Sequence, residues 1–231
     1  MIVARLAENL KFVRSAIADA AHRSGRTASD VTLVAVTKRR SGDLVRALAA
    51  LGEADFGENY PQELWEKVQD LADLPARWHL IGHLQGNKAR RTFPMVRMIH
   101  AVDSLKLLKM LDEMASATEK PPSVCLQVNG SGEVAKHGWS PETLLADAEG
   151  IAACRSIPIV GLMTMAGLGT DAETARPTFA LVRELRDTLR CRTGLVLPHL
   201  SMGMSGDFEA AIEEGATLVR VGSALFEGLE P

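Results

Sequence analysis

Val31-Thr32-Leu33-Val34-Ala35-Val36-Thr37-Lys38 is an apolar run that ends in a lysine, and the residues after it decide the architecture. Ser41 is placed to cap a helix, Leu44, Val45, Leu48 and Leu51 then share one helical face, and Gly52 closes the segment. The same succession of apolar run, polar or glycine-rich turn and helical stretch recurs along the chain. The runs cover residues 31–37, 54–57, 78–81, 98–102, 124–128, 157–163, 197–201 and 218–221, eight candidate strands. Between them Pro61 opens a helix burying Leu64, Val68 and Leu71, Ser104 and Ser140 precede two more, and Gly194 and Gly215 stop the last two. Strands alternating with helices pair in parallel, because each crossover helix returns the chain to the same edge. Eight such units without a composition break predict one α/β domain over residues 1–231, a closed (β/α)8 TIM-type barrel. An open doubly wound sheet is the alternative. Ile2, Leu6, Leu10, Val13 and Ile17, before the first strand, predict an additional N-terminal helix.

Composition removes several classes of function. A net charge of −3 leaves no basic excess for nucleic-acid phosphates, and 4% aromatic residues build no stacking platform for single strands. Charged residues interrupt the N-terminal helix, so neither a signal peptide nor a membrane span is expected. Cys125, Cys154 and Cys191 are odd in number and lack metal-ligand spacing, which reads as reduced thiols of a cytoplasmic protein. No heptad or repeat suggests assembly, so a monomer is expected.

Sites in such barrels lie at the carboxyl ends of the strands. Strand side chains alternate, so Val34, Val36 and Lys38 share a face, and if that face is the barrel interior Lys38 stands at its mouth. An amine partly desolvated there is available to attack an aldehyde; the plainer reading is a lysine reaching solvent. Strand seven runs into Ser201-Met202-Gly203-Met204-Ser205-Gly206-Asp207, and strand eight into Gly222-Ser223, each turn leading into a helix. Small residues before a helix let backbone amides approach an anion, and the turns after strands seven and eight are the usual phosphate site of these barrels. Arg220 alternates with Val219 and Val221, so if the valines pack outward on helices it points into the barrel. It reads either as half of an internal ion pair or as a donor to the ring nitrogen of a pyridine cofactor. Asn59, His79 and Met163, at the ends of strands two, three and six, are candidates to line the same pocket or to serve the core. His79 and His83 resemble a metal pair only on a helix, and Gly82 lies between them at a strand end, so no metal is expected.

Taken together, these segments resemble the pyridoxal phosphate homeostasis protein family. Ala35-Val36-Thr37-Lys38 is similar to its lysine motif, Phe56-Gly57-Glu58-Asn59-Tyr60 to the stretch after its second strand, and Trp78-His79-Leu80-Ile81-Gly82-His83-Leu84-Gln85 with Asn87-Lys88 to its most distinctive segment. The turns at Ser201–Asp207 and Arg220–Ser223 look like its phosphate and pyridine segments, with Ser223 where threonine is often found. The resemblance implies pyridoxal 5′-phosphate (PLP) held as an imine on Lys38, with Ser201, Ser205, Gly222 and Ser223 around the phosphate and Arg220 at the ring nitrogen. With Asn59, His79, Met163, Gly203 and Met204 these are the expected cofactor residues.

It also implies buffering or delivery of PLP to dependent apoenzymes, without a firmly assigned reaction. A PLP-dependent racemase is the alternative, and it needs a base on each face of the substrate α-carbon. Beyond Lys38 the one tyrosine is Tyr60, which nothing in the sequence places over a cofactor, and no domain is expected after the eighth strand. A third reading is a sugar-phosphate enzyme using Lys38 as a Schiff-base lysine.

Overall fold

The structure, a computed structural model, describes residues 2–130, 137–167 and 171–229. Eight parallel strands close into a barrel in chain order, so the doubly wound alternative is excluded. They are β1 (Thr32–Val36), β2 (Asp55–Glu58), β3 (Arg77–Leu80), β4 (Met98–Val102), β5 (Ser123–Gln127), β6 (Ile159–Met163), β7 (His199–Ser201) and β8 (Leu218–Val221). β8 closes on β1 with Val34 opposite Arg220 and Ala35 opposite Val221. The first helices are α1 (Ile2–Arg23), α2 (Gly42–Ala50), α3 (Pro61–Asp70), α4 (Gly86–Thr92) and α5 (Leu105–Ala115). The later ones are α6 (Pro141–Ala146), α7 (Ala148–Ala152), α8 (Ala172–Thr193) and α9 (Phe208–Glu213).

The local sequence explains these ends. Ser104 and Ser140 cap α5 and α6 by accepting the amides of Leu107 and Thr143. Ser41 sits at the start of α2 but makes no such bond. Pro61 opens α3 and Gly194 ends α8 as expected. The helix predicted after Ser140 breaks at Asp147 into α6 and α7.

Strand alternation divides the apolar residues into two cores. The larger lies between sheet and helices and includes Leu33, Ala35, Phe56, Leu80 and Ile99. The smaller fills the barrel with Val34, Met98, Ala101, Cys125, Met163 and Leu218. Val34 in this inner layer puts the Val34, Val36, Lys38 face toward the axis. α1 buries Leu6, Leu10, Val13 and Ile17, and Asn9 and Arg23 tie it to the last unit of the barrel. Among the described residues no helix is long and apolar enough to cross a membrane. All three cysteines are free.

Candidate cofactor site

Lys38 begins the turn that leaves β1, and that turn is held from beneath. The amide of Arg40 closes it on Thr37 O at 3.0 Å. Lys67 Nζ, from α3, donates to the same carbonyl at 2.6 Å and to Glu58 Oε1 at 2.7 Å. Thr37 Oγ1 donates to Glu58 Oε1 at 2.6 Å, and both residues are fully buried. Burial pushes the Glu58 carboxyl up, while Lys67 and Thr37 pull it back. Arg39 adopts φ 58, rare for a residue with a side chain, and its amide donates to Glu63 Oε2 at 3.0 Å. Such a strained residue persists where its surroundings over-determine it. The backbone under Lys38 is therefore fixed while its side chain is exposed. Partial desolvation was expected of this amine, whereas the side chain is exposed. Lys38 shares a cleft of about 270 Å³ with Val36, Arg39, Arg40, Gly222, Ser223 and Phe226. Strand closure thus brings the lysine against the turn after β8.

Below the mouth, one hydrogen-bond chain crosses the barrel. Arg220 Nη1 donates to Ser201 Oγ at 2.7 Å, and Nη2 donates to Thr164 O at 2.9 Å. Ser201 Oγ lies 2.7 Å from His100 Nδ1, His100 Nε2 lies 2.9 Å from His79 Nδ1, and His79 Nε2 lies 2.9 Å from Asp55 Oδ1. Asp55 ends the chain in a paired contact with Arg77 at 2.8 and 2.5 Å. The Asp55 carboxylate accepts at one end and the Arg220 guanidinium donates at the other, with Ser201 and the two imidazoles joined between them. Burial, with His79 and Arg220 nearby, holds the His100 imidazole well below its ordinary value. Burial pushes the Asp55 carboxyl up, but Arg77 and His79 outweigh it and bring it down to about 2. Burial lowers the Arg220 guanidinium to about 10, still above neutrality, so it keeps its proton.

This geometry revises several expectations. The internal ion pair considered for Arg220 is not present among the described residues; Asp207 acts on it only at longer range. Ser201 is fully buried and its hydroxyl is committed to Arg220 and His100, so the phosphate role implied by resemblance does not fit its side chain. Ser205 fits better: its Oγ accepts the amides of Gly222 and Ala224, each at 3.2 Å, and so joins the turns after β7 and β8. It keeps a hydroxyl hydrogen to offer. Gly222 opens the short helix expected there, a 3-10 turn over Ser223–Phe226. α9 spans six residues, with Asp207 at its N-terminus accepting the Met204 amide at 2.6 Å. The Asp207 carboxylate makes no cap bond to the α9 amides and is turned instead to the Met204 amide.

His79 has both ring nitrogens engaged, which leaves only its ring face and edges for a ligand. Met163 is buried inside the barrel, Asn59 is half-buried beside Gly82, and Met204 is 39% exposed. Gly203 O accepts the Arg220 amide at 3.0 Å, pinning the β7 turn to β8. Sequence reasoning missed Asp55, His100 and Thr164. The alternation of Met98 with His100 in β4 was the available signal for an inward histidine.

The fold is a closed eight-stranded parallel barrel with a lysine just past the end of its first strand and a buried arginine in its last. The family model for the alanine racemase N-terminal domain matches residues 4–230. The chain is 44% identical to the pyridoxal phosphate homeostasis protein of Pseudomonas aeruginosa, over 96% of this chain and 94% of that protein. It is 38% identical to the one from Aquifex aeolicus, over 95% and 96%. Among solved structures, PipY of Synechococcus elongatus with PLP bound has 37% identity and a TM-score of 0.85, over 96% of this chain and 99% of that one. Alanine racemase from Corynebacterium glutamicum shares the fold, with 20% identity, a TM-score of 0.74 and 99% of this chain on 61% of that one. The chain belongs to the pyridoxal phosphate homeostasis protein family.

Proposed function

We propose that this protein binds PLP covalently through Lys38 in the cytoplasm and, as a monomer, buffers it and passes it to PLP-dependent apoenzymes. The observation that carries this reading is the shared cleft of Lys38, Gly222 and Ser223 beside β8, whose Arg220 is held by Ser201 and Thr164. The names of the relatives and the PLP in PipY support it. When bound, the cofactor would supply an aldehyde carbon to the amine and a pyridine nitrogen that accepts a hydrogen bond. Lys38 offers the amine on a backbone fixed by Lys67 and Glu63. Arg220 spends one hydrogen on Ser201 and one on Thr164, and three more N–H groups remain to serve the ring nitrogen. Because the guanidinium keeps its proton, the ring nitrogen gains none, and the ring would be a poor sink for electrons. Ser205, Ser223 and the small Gly222 suit the phosphate.

Holding rather than turnover follows from two features: that unprotonated nitrogen, and the exposure of Lys38, which leaves water near the amine. The free thiols suit a reducing compartment. The test is transfer. Loaded protein mixed with a PLP-dependent apoenzyme should restore its activity while losing its own absorbance. Retention of the cofactor through many hours with an excess of apoenzyme would count against delivery.

A further inference from the structure

We propose that His83, Asp103 and His137 form a binding site for one divalent transition-metal ion of the zinc class. The three residues come after β3, β4 and β5, so neighbouring strands deliver them to the same rim of the barrel. His83 Nδ1 lies 2.8 Å and His137 Nδ1 3.8 Å from the same oxygen, Asp103 Oδ2. All three ligand atoms lie within 4.8 Å of one another. Ligand atoms about 2.0–2.2 Å from a tetrahedral ion stand about 3.3 Å apart. The two observed separations bracket that value. The imidazole rings are stacked, with centroids 4.5 Å apart and planes 17° from parallel, so both present the same edge to the carboxylate.

The backbone around both histidines is constrained. A side chain at Gly82 would come within 2.1 Å of Asn59 O, so His83 leaves β3 along one path. Gly138 has φ 112, and a side chain there would meet Gln127 O at 2.7 Å. His137 O accepts Gln127 Nε2 at 3.0 Å, which ties it to the end of β5. The Asp103 side chain is 11% exposed, and among the described residues its ion-pair partners are these two imidazoles. A cation held between this mostly buried carboxylate and the two ring nitrogens would balance the carboxylate charge. Two imidazoles and a carboxylate suit zinc, and three protein ligands leave a coordination position open to water. No linear metal motif marks this site, because its ligands come from three different strand ends.

Untagged protein, stripped by a chelator and studied both with and without PLP, is titrated with Zn²⁺ by calorimetry and with Co²⁺ by visible absorption. One equivalent should bind in both forms, with the d–d bands of a low-coordinate Co²⁺ site. His83→Ala, His137→Ala and Asp103→Asn should each weaken binding at least tenfold, and Cys191→Ser should leave it unchanged. Both histidines are exposed, and the Asp103 change conserves shape, so circular dichroism should show intact folds. No saturable binding tighter than about 1 mM, undiminished affinity in the two histidine variants, or binding only when PLP is present would overturn the proposal.

Discussion

Arg220 donates to Ser201 Oγ at 2.7 Å, inside the barrel and away from water. The same hydroxyl lies 2.7 Å from His100 Nδ1, which links it through His79 to Asp55. Removing it strands two polar groups in a low-dielectric interior. Ser201→Ala should therefore cost about 1–3 kcal/mol of folding stability, read from chemical denaturation. An unchanged denaturation midpoint would mean that the chain does not depend on this hydroxyl.

Ser205 is the hydroxyl assigned to the phosphate. Ser205→Ala should leave pyridoxal affinity near that of the parent and weaken PLP about tenfold, the loss of one hydrogen bond to a charged group. Equal weakening of both ligands would remove Ser205 from the phosphate.

Asp55 makes the chain sensitive to acid. Its folded value of about 2 lies below the ordinary 3.8, so its stabilisation is present above the ordinary value and lost as pH falls toward 2. The shift corresponds to about 2 kcal/mol. Asp55→Asn should be less stable than the parent by that amount at pH 7, with the gap closing as both are titrated to pH 2. A gap that stays constant across this range would show that Asp55 does not act through its charge.

The buried pair under Lys38 gives a further expectation. Glu58 has no exposure and Lys67 only 13%, so deleting the cation strands a carboxylate. Lys67→Met should destabilise the fold by about 3–5 kcal/mol at neutral pH. Because burial raises the Glu58 carboxyl, acidification should relieve part of that loss by protonating it. Denaturation at pH 7 and pH 4.5 measures both effects, and an identical loss at the two values would exclude an electrostatic origin.

Much of the barrel was legible because a parallel strand buried on both faces leaves a continuous apolar run. The runs at 98–102 and 218–221 coincide with β4 and β8. The runs at 157–163 and 197–201 overshoot their strands at the start: Ile157 and Leu197 are buried but precede the ladder. Hydrophobicity reports burial, and hydrogen bonding begins two residues later. In the site, alternation sufficed to turn Arg220 into the barrel, whereas Lys38 stands in the turn just beyond β1. Alternation could not reveal the support of Arg220, because His100 and Ser201 stand 101 residues apart and Thr164 contributes only a carbonyl. The turn at Ser201–Asp207 was expected to lead into a helix and does so, with Asp207 at the N-cap and its carboxylate bonded to the Met204 amide.

The racemase alternative makes an opposite kinetic forecast. Tyr60 is 43% exposed at the start of α3, and its hydroxyl has no hydrogen-bond partner among the described residues to hold it as a base. If Arg220 leaves the ring nitrogen unprotonated as proposed, amino acids added to the loaded protein should exchange their α-protons in deuterated water more slowly than about 1 per second. Exchange with inversion at or above that rate would establish a racemase, and Tyr60→Phe would be the first variant to examine.

Every role assigned to the barrel mouth depends on Lys38 carrying the cofactor. Borohydride reduction of the PLP-loaded protein, followed by peptide mass analysis, reads the attachment point. One pyridoxyl group per chain is expected, on Lys38, and none on a folded Lys38→Ala variant. A label on Lys88 in α4, on Lys136, which lies outside the described residues, or on the Lys38→Ala protein would refute the assignment.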